Sequence, residues 1–461
     1  MIVFLLLVAG CAELPSASYA DGRLERSAVP TPSAAATEIP ESSEKEPVVN
    51  EEIDPNALRI CLDVGQGLAY TERDLTVLEL KIADAIKMAD GPENIIFDSI
   101  PLEGSEREIA LERIRTEIMA GEGPDVFIMT AKMVDALFPI PEKAMQEGIF
   151  LTLDHYIQNA ELGDWDNLTQ PVLEAGRTEE GQQLVPMLYT LPVTVYPKES
   201  VPEIPPVGTT WQDMLADESG ILRRAALMHR FESGGLEMLS EDSVLSVLGE
   251  LVNYETDEIL FSEEDLLHVM KALLTLEEEI DTEGVAGLPE YFQGRLNRLP
   301  MLTLRSEKVL SMNRETPVTM IPIYSMNGDV LATVRAYTGI NRNTKHPKEA
   351  FFVVDYLMST QAQQTLKLFH GFDGLPINEK VLSEEYPQRD GGDLYLIDEN
   401  FEALGNIRNQ ISKVYFDNSL LRAIRSPYYT GQGIQSGEIT DQTLEGLVSE
   451  TYDALKQILG E

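Results

Sequence analysis

Apolar and polar residues follow two alternating patterns in the chain beyond its first 57 residues. Short apolar runs at 58–64, 94–100 and 125–129 predict β-strands, and the stretches 71–88 and 107–119 carry apolar residues at helical spacing. Strands that alternate with helices are typical of parallel βαβ units. Because ligands of such sheets bind beyond the carboxyl ends of the strands, we expect a binding site where the first and third runs end.

The rest of the chain continues this pattern. Residues 213–283 are mostly helical by their periodicity, 318–323 predict a further strand, and helices are predicted over 347–367 and 441–459. About 400 residues follow the first 57, which is too many for one hydrophobic core and suits two lobes. The sequence therefore predicts an α/β fold with two lobes.

The N-terminus carries an unbroken apolar run, Ile2 to Val8, that leads into Ala9-Gly10-Cys11. The run is too short to span a bilayer as a helix and is typical of a signal peptide. Its end resembles a bacterial lipobox, which implies cleavage before Cys11 and a diacylglyceryl group joined to its thiol by a thioether, with palmitate among the acyl groups. No Lys or Arg precedes the run, so we expect the start codon to lie upstream of Met1. The alternative is a chance apolar start on a cytosolic chain.

The segment 12–57 is rich in Ser, Pro, Ala and Glu and poor in large apolar residues. Such a segment cannot bury enough surface to offset its ordering entropy, so we expect a disordered acidic tether. The tether would hold a folded body away from a membrane that the lipid on Cys11 grips. Together these features predict a lipoprotein that is anchored to the cell membrane and faces the extracellular side.

The net charge of −43 lies mostly on the part of the chain that follows the tether. This acidity argues against a nucleic-acid partner, because such a partner needs basic patches. It also argues against direct binding of anionic lipid headgroups. Its simplest interpretation is the solubility of the folded surface.

Residue types that catalyse reactions or bind metals form no motif in this sequence. The histidines lack the i, i+4 spacing of a zinc site, and neither a Gly-x-Ser-x-Gly elbow nor a phosphate-binding loop occurs. Cys61 lies in an apolar run and is expected to be a small buried side chain. We therefore expect neither an enzyme nor a metal or cofactor site. The main rival is a secreted hydrolase of glycans that uses paired carboxylates, since acidic residues are plentiful.

Several segments match one family in the right order. They are Ala120–Val126, Leu184–Met187 with Tyr196–Lys198, Thr209–Leu215, Tyr291–Arg295, Val318–Pro322, His346–Ala350 with Tyr356–Gln363, and Gly374–Asn378. With these segments the chain resembles the extracellular solute-binding proteins of ABC importers (family 1), which include the maltose- and oligosaccharide-binding lipoproteins. The resemblance spans nearly all of residues 58–461.

The resemblance implies a two-lobed fold of the periplasmic-binding-protein type (type II), with mixed sheets, flanking helices and a cleft between the lobes. The implied N-terminal lobe is 58–190 with 338–374, and the implied C-terminal lobe is 191–337 with 375–461. The implied crossings lie near 188–193, 331–337 and 371–376. Most of the matching motifs serve the fold: Thr210 can cap a helix, and Trp211 can pack against a lobe.

By position, the resemblance also implies a set of ligand contacts. The candidates are Gly65, Gln66, Thr130, Ala131, Thr190, Arg305, Tyr324 and Tyr428. Tyrosine rings and guanidinium groups suit a carbohydrate, which binds by stacking and by hydrogen bonds. A packing role for the tyrosines, and a surface ion pair for Arg305, are the alternatives. The chain has only two tryptophans, at positions not assigned to sugar stacking, which leaves another polar solute open.

The implied partners are a small polar solute, the permease subunits of an ABC importer and the lipid bilayer. The ligand would shift the two lobes toward a closed form that the permease recognises, with the chain acting as a monomer. A second alternative is an anchored sensor or adhesion protein of the same fold that serves no transporter.

Overall fold

Strands and helices alternate through most of the computed structural model of this chain. The residues that the structure describes are 54–64, 71–130, 136–197, 205–217, 222, 240–279, 302–305, 318–366, 374–385, 398–424 and 441–460. The strands are β1 (Leu58–Asp63), β2 (Ile95–Ser99), β3 (Val126–Thr130), β4 (Arg177–Thr178), β5 (Gly181–Gln182), β6 (Leu184–Thr190), β7 (Pro192–Pro197), β8 (Val252–Asn253), β9 (Glu258–Ile259), β10 (Leu302–Arg305), β11 (Val318–Pro322), β12 (Leu331–Ile340), β13 (Leu375–Pro376) and β14 (Lys413–Phe416).

Helices of different lengths connect the strands. They are α1 (Glu72–Met88), α2 (Gly104–Met119), α3 (Pro141–Gln146), α4 (Asp154–Ile157), α5 (Gln170–Glu174), α6 (Trp211–Leu215), α7 (Ser240–Leu248), α8 (Glu263–Glu279), α9 (Pro347–Leu357), α10 (Thr360–Leu366), α11 (Glu379–Glu385), α12 (Asp398–Arg408) and α13 (Asp441–Gly460). A 3-10 turn covers Trp165–Asn167.

The large sheet has the strand order β13-β6-β12-β3-β1-β2, and β14 pairs with β12 outside this path. β1 lies between β2 and β3 and is parallel to both, with Ile60 opposite Phe97 and Val126. Because α1 and α2 connect these strands, they are the βαβ units that the alternating pattern predicts. The predicted positions of β1, β2, β3, α1 and α2 are therefore confirmed.

β12 joins two halves of the large sheet. Its second half is antiparallel to β3, with Ala336 opposite Thr130, and its first half is parallel to β14, with Val334 opposite Phe416. On its other side β12 is antiparallel to β6. All ten of its residues are buried, as expected for a central strand that is covered on both faces.

The small sheet has the order β10-β7-β11, and its three strands are antiparallel. The chain leaves the large sheet at the end of β6 and enters β7 after one residue, Leu191. It returns from β11 to β12 through residues 323–330, where Tyr324 bridges to Val330. Two sheets joined by such direct passages suit two lobes. The lobe boundaries predicted from the sequence stay a prediction.

Helices pack around both sheets. α1 packs on β2, and α9 packs on β3 and β12. α7 packs on β7 of the small sheet and on α8, and α13 packs on α8 and β9. We call α7, β8, β9, α8, α13 and the small sheet the small-sheet part. The architecture is the predicted α/β class, with mixed sheets flanked by helices.

The predicted cap at Thr210 is confirmed. Its hydroxyl accepts a hydrogen bond from the Asp213 backbone NH, the Asp213 carboxylate accepts one from the Thr210 NH, and Trp211 is fully buried. This reciprocal pair fixes the start of α6. Among the described residues, no helix is both long enough and apolar enough to span a membrane.

Aromatic rings fill the core beneath the large sheet. Phe127, Phe138 and Phe150 meet edge to face, with centroids 5.0–5.9 Å apart. Cys61 is fully buried as predicted, and burial raises the pKa of its thiol well above the usual value.

One prediction about secondary structure is wrong. The single helix predicted over 347–367 is two helices, because Asp164 Oδ2 accepts hydrogen bonds from the Thr360 NH and hydroxyl and so caps a new helix. The middle region is mostly helical among its described residues, as predicted, and it also contains the β8–β9 hairpin, in which Asp257 takes a positive φ of 54°. Asp tolerates this left-handed conformation better than most residues, which favours a turn there.

Candidate functional site

Several polar residues meet at one edge of the large sheet. β1 ends at Asp63 and β3 ends at Thr130, and both strands run in the same direction. The antiparallel register places Thr130 opposite Ala336 and Thr333 opposite Thr190. Because β6 ends at Thr190, its carboxyl end reaches the same edge. We call this the carboxyl edge, and it is where the chain passes to the small sheet.

Asp63 anchors the large-sheet side of the carboxyl edge. Its carboxylate accepts hydrogen bonds from Arg107 Nη2 and from the Leu137 backbone NH, each at 2.8 Å. Burial raises the pKa of Asp63, while the charge of Arg107 opposes that rise. The pair ties α2 and the segment after β3 to the end of β1. Both carboxylate oxygens of Asp63 therefore accept hydrogen bonds from the protein itself, which gives Asp63 a structural role at this edge.

Arg335 lies where β12 bulges. The register with β6 shifts between Val334 and Ala336, which leaves Arg335 as the extra residue of β12, and it shifts back between Ala336 and Tyr337, where β6 has an extra residue. Arg335 Nη1 donates to Asp417 Oδ2 at 2.7 Å, and the exposed fractions of the two side chains are 4% and 1%. The Asp417 NH donates to the Val334 carbonyl at 3.0 Å. Bulges of this kind redirect a side chain and increase the local twist of the strand.

The ion pair of Arg335 and Asp417 sits at a junction. β3 and β14 lie beside successive halves of β12, and they meet at the bulge. A fully desolvated pair of this kind is costly to break, because the remaining charge has no water to solvate it. The pair therefore fixes the strand that spans the two halves of the sheet, next to Thr130 and Thr190.

The structure brings two of the sequence-predicted ligand contacts to the carboxyl edge. Thr130 is partly exposed, and its hydroxyl lies 3.4 Å from the Asp63 carbonyl. Thr190 is buried at 1% exposure. Hydroxyl groups at such an edge can donate and accept hydrogen bonds to a polar solute. Ligand contact by either residue stays a prediction.

Tyr324 has a packing position. Its ring is fully buried, and its hydroxyl lies 3.0 Å from Gln410 Oε1 and 3.3 Å from the Pro205 carbonyl. Burial raises the pKa of Tyr324 to about 12. This placement matches the packing alternative, and no ligand contact follows from it. Arg305 ends β10, where its backbone pairs with Pro192 of β7.

The remaining sequence-predicted residues lie outside the described part of the chain: Gly65, Gln66, Ala131, Tyr428 and the lipidation candidate Cys11. The described residues that lead toward two of these segments are Val64 and Thr130, at the ends of β1 and β3. The loops nominated from the sequence therefore start at the carboxyl edge.

Sequence reasoning missed Asp63, Arg107, Arg335 and Asp417. A signal was present in two of them, because Asp63 closes an apolar run and Arg335 interrupts one. A charge inside an otherwise apolar strand indicates a buried partner. The identity of that partner could not be read, since Asp417 lies 82 residues from Arg335. Within the described ranges, no group of three or more His, Cys, Asp or Glu side chains could hold a metal ion.

Comparison of the sequence with protein-family models and with curated proteins gives no match. Solved structures match in fold. The chain is similar to an extracellular solute-binding protein family 1 from Alicyclobacillus acidocaldarius, with 16% identity and a TM-score of 0.55, over 87% of this chain and 99% of that one. It is also similar to a periplasmic oligogalacturonide-binding protein from Yersinia enterocolitica, with 14% identity and a TM-score of 0.54, over 88% and 100%.

A third similar structure is a cyclic α-maltosyl-1,6-maltose-binding protein from Arthrobacter globiformis, with 12% identity and a TM-score of 0.50, over 87% of this chain and 100% of that one. The similarity covers these proteins from end to end. It confirms at the level of the fold the resemblance inferred from the sequence. The chain thus has the two-lobed α/β fold of the extracellular solute-binding proteins.

Proposed function

We propose that this chain is an extracellular solute-binding protein that captures a small polar ligand between two lobes and delivers it to an ABC importer. The observation that carries the proposal is the end-to-end similarity to whole binding proteins, over 87% of this chain and 99% of the Alicyclobacillus protein. The carboxyl edge supports it, because α/β sheets bind ligands beyond the carboxyl ends of their strands. At this edge the chain also passes from one sheet to the other.

The ligand we propose is a carbohydrate. Two of the similar proteins bind an oligogalacturonide and a cyclic α-maltosyl-1,6-maltose. The hydroxyl of Thr130, which is partly exposed, can exchange hydrogen bonds with sugar hydroxyls. Acceptors and donors of this kind would equally suit another polar solute, so the ligand panel below includes both classes.

We propose that the chain releases its ligand unchanged and is not an enzyme. Support comes from the similar structures above, which are binding proteins. A hydrolase would convert the glycan that it binds. Mass spectrometry of the ligand before and after incubation with the protein separates these outcomes, and any product would overturn this proposal.

The location and the delivery step are also proposals. The lipobox-like Val8-Ala9-Gly10-Cys11 and the tether support a lipid anchor on the extracellular face of the cell membrane. Cys11→Ser is expected to release the protein from membranes. Retention of the variant in the membrane fraction would overturn the anchor. Delivery to a permease predicts that cells lacking this chain lose uptake of the ligand, and unchanged uptake would favour a sensor or adhesion role.

The binding test uses the Cys11→Ser protein and a panel of oligosaccharides, monosaccharides, amino acids and polyols. A ligand present at 100 times its Kd stabilises the folded state by about 2.7 kcal/mol, which raises the melting temperature. We expect a shift with at least one carbohydrate. A panel in which only another solute class gives a shift would overturn the carbohydrate assignment, and a panel with no shift would overturn capture itself.

A matched pair of variants locates the ligand. Thr130→Val removes a hydroxyl at the carboxyl edge, and Thr76→Val removes one on the exposed face of α1. Loss of one neutral hydrogen bond is worth about 1 kcal/mol, so Thr130→Val should weaken binding roughly fivefold. Thr76→Val should leave the Kd unchanged. Equal Kd values for the two variants would mean that the ligand does not bond to the Thr130 hydroxyl.

A further inference from the structure

The short helix α3 is linked to the small-sheet part through two neighbouring residues, Lys143 by direct contact and Glu142 by way of the Asn418 amide. α3 belongs to the large-sheet side, because residues that follow it pair with the end of β12: the Leu151 NH donates to the Ile340 carbonyl, and Phe150 bridges to Asn341. Contacts from α3 to the β8–β9 turn and to α13 therefore connect the large-sheet side to the small-sheet part.

The first contact runs through Asn418. Its Nδ2 lies 3.2 Å from Glu142 Oε2 and donates to the Tyr254 hydroxyl at 2.8 Å. Glu142 Oε1 also accepts a hydrogen bond from the Phe416 NH at 3.2 Å. Tyr254 follows β8 in the small-sheet part, whereas Asn418 follows β14 of the large sheet. The amide of Asn418 thus links a carboxylate on one side to a phenol on the other.

The second contact is made by the next residue. Lys143 Nζ lies 3.1 Å from Asp257 Oδ1, in the turn between β8 and β9. The same ammonium donates to the Leu459 carbonyl near the end of α13. A cation is favourable there, because the last carbonyls of a helix carry partial negative charge. We call these contacts of Glu142 and Lys143 the α3 bridge.

The charged pair of the α3 bridge is accessible enough to water for the contact to open. The side chains of Lys143 and Asp257 are 22% and 51% exposed, so water can solvate both charges after separation. Exposed pairs of this kind contribute little to stability. By contrast, the fully buried pair of Arg335 and Asp417 cannot separate without leaving a charge in the core.

Glu142 carries the proton dependence. Burial raises the pKa of Glu142 from 4.5 to about 7, and its hydrogen bonds to Phe416 and Asn418 only partly offset this rise. The titratable groups that interact with Glu142 from the surrounding described elements are Tyr254, Tyr337 and Tyr415, and burial raises the pKa of each. These tyrosines stay neutral over the physiological range, so Glu142 is the group of this cluster that titrates near pH 7.

We propose that the α3 bridge is a releasable contact that holds the small-sheet part in the arrangement seen here, and that proton uptake by Glu142 strengthens it. Its consequence for ligand capture, a pH-dependent balance between lobe arrangements, rests on the proposed function. The bridge itself does not, because protein groups alone form its contacts.

The direction follows from linkage. With the bridge formed the pKa of Glu142 is about 7. Release of the bridge moves Tyr254 away and admits water, so we expect this pKa to fall toward the ordinary value of a solvated carboxyl. The bridged form therefore binds more protons between these values, so it is favoured as the pH falls and is lost as the pH rises through 7. Between pH 8 and pH 6 the ratio of bridged to released protein should rise about 10-fold.

The test measures a distance between the two parts in the ligand-free protein. Spin labels are placed on α2 and α13 by Glu112→Cys and Glu450→Cys, both at exposed positions, in the Cys11→Ser chain. Cys61 is fully buried and does not take up the label. Double electron–electron resonance then gives the distance distribution at pH 6 and at pH 8.

We expect the labelled protein to give a narrower distribution at pH 6 than at pH 8. Glu142→Gln should remove this difference, and Lys143→Met should broaden the distribution at both pH values. The matched controls are Glu147→Gln at the end of α3 and Lys81→Met on α1, which remove the same charges at exposed positions. Both controls should behave as the labelled parent does.

Three results would each overturn the proposal: equal distributions at pH 6 and pH 8 in the parent, a pH response that survives Glu142→Gln, or a Lys143→Met distribution that matches Lys81→Met. If Glu142→Gln fails to fold, Tyr254→Phe removes the hydroxyl that accepts from Asn418 and should broaden the distribution instead. A negative sugar panel would overturn the proposed function and leave this result standing, since no ligand enters the measurement.

Discussion

Two polar contacts join distant segments in this protein, and they differ in their exposure to water. The pair of Arg335 and Asp417 is almost fully buried inside the bulge of β12, with side chains 4% and 1% exposed. The pair of Lys143 and Asp257 in the α3 bridge is 22% and 51% exposed. Similar charges can thus serve opposite purposes. The buried pair holds the strand that runs through the sheet junction, whereas the bridge can part because water replaces each lost contact.

The largest effect is expected from breaking the buried pair. Asp417→Ala leaves the Arg335 guanidinium without its 2.7 Å partner in the core. Loss of one member of a buried pair costs about 3–5 kcal/mol of unfolding free energy. Urea denaturation of the Cys11→Ser protein measures this loss.

A double variant serves as the control for that prediction. Arg335→Met with Asp417→Leu replaces both charges by apolar groups, which is often neutral or stabilising at buried sites. We expect most of the lost stability to return. A double variant as unstable as Asp417→Ala would mean that the two residues act independently.

Asp63 tests whether the comparison extends to a second buried pair. The exposed fractions of the Arg107 and Asp63 side chains are 6% and 1%, and their nitrogen and oxygen lie 2.8 Å apart. Asp63→Asn keeps the shape and removes the charge, so we expect a loss of roughly 1.5–3 kcal/mol, the range for hydrogen bonds to charged groups. Denaturation with Asp90→Asn as an exposed control measures it. A loss no greater than that of Asp90→Asn would mean that the Asp63 pair, like the pair in the α3 bridge, contributes little to stability.

The pH dependence of the unfolding free energy tests the raised pKa of Glu142, with the exposed residue Glu147 as the control. Because burial raises the folded-state pKa of Glu142 to about 7, the protonated carboxyl stabilises the fold fully below its ordinary pKa of 4.5 and this contribution is lost as the pH rises through 7. Over that range the parent should lose roughly 1–3 kcal/mol relative to Glu142→Gln. Denaturation at each pH measures the difference. Parallel curves for the parent and Glu142→Gln would contradict the shift, and Glu147→Gln should parallel the parent.

The fold could be predicted from the sequence where local pattern decides it. Residues 58–130 alternate strand and helix signals, and the structure has β1, α1, β2, α2 and β3 in those places. The cap at Thr210 and the last helix could also be predicted from the sequence. The break at Ser359 was not, because the capping carboxylate of Asp164 comes from a segment 196 residues away.

The candidate site shows the same limit. Thr130 could be placed near a site because strand ends of a βαβ sheet share an edge, whereas Thr190 was nominated by family position. The partner of Arg335 could not, since an ion pair across 82 residues leaves no periodic trace. Tyr324 was nominated by family position, and because its ring is buried its ligand contact stays a prediction. The α3 bridge was invisible for the same reason, as Glu142 and Asn418 lie 276 residues apart.

Lys143→Met is expected to have the smallest effect on stability but a large effect on the distance between the two parts of the protein. Lys143→Met removes the ammonium that pairs with Asp257, at side-chain exposures of 22% and 51%. Because exposed pairs contribute about 0–1 kcal/mol, urea denaturation should barely distinguish this variant from Lys81→Met. The spin-label distance distribution should nevertheless broaden. A loss of several kcal/mol would mean that Lys143 is part of the core framework. The α3 bridge would then be a fixed contact like the pair of Arg335 and Asp417, and not a releasable one.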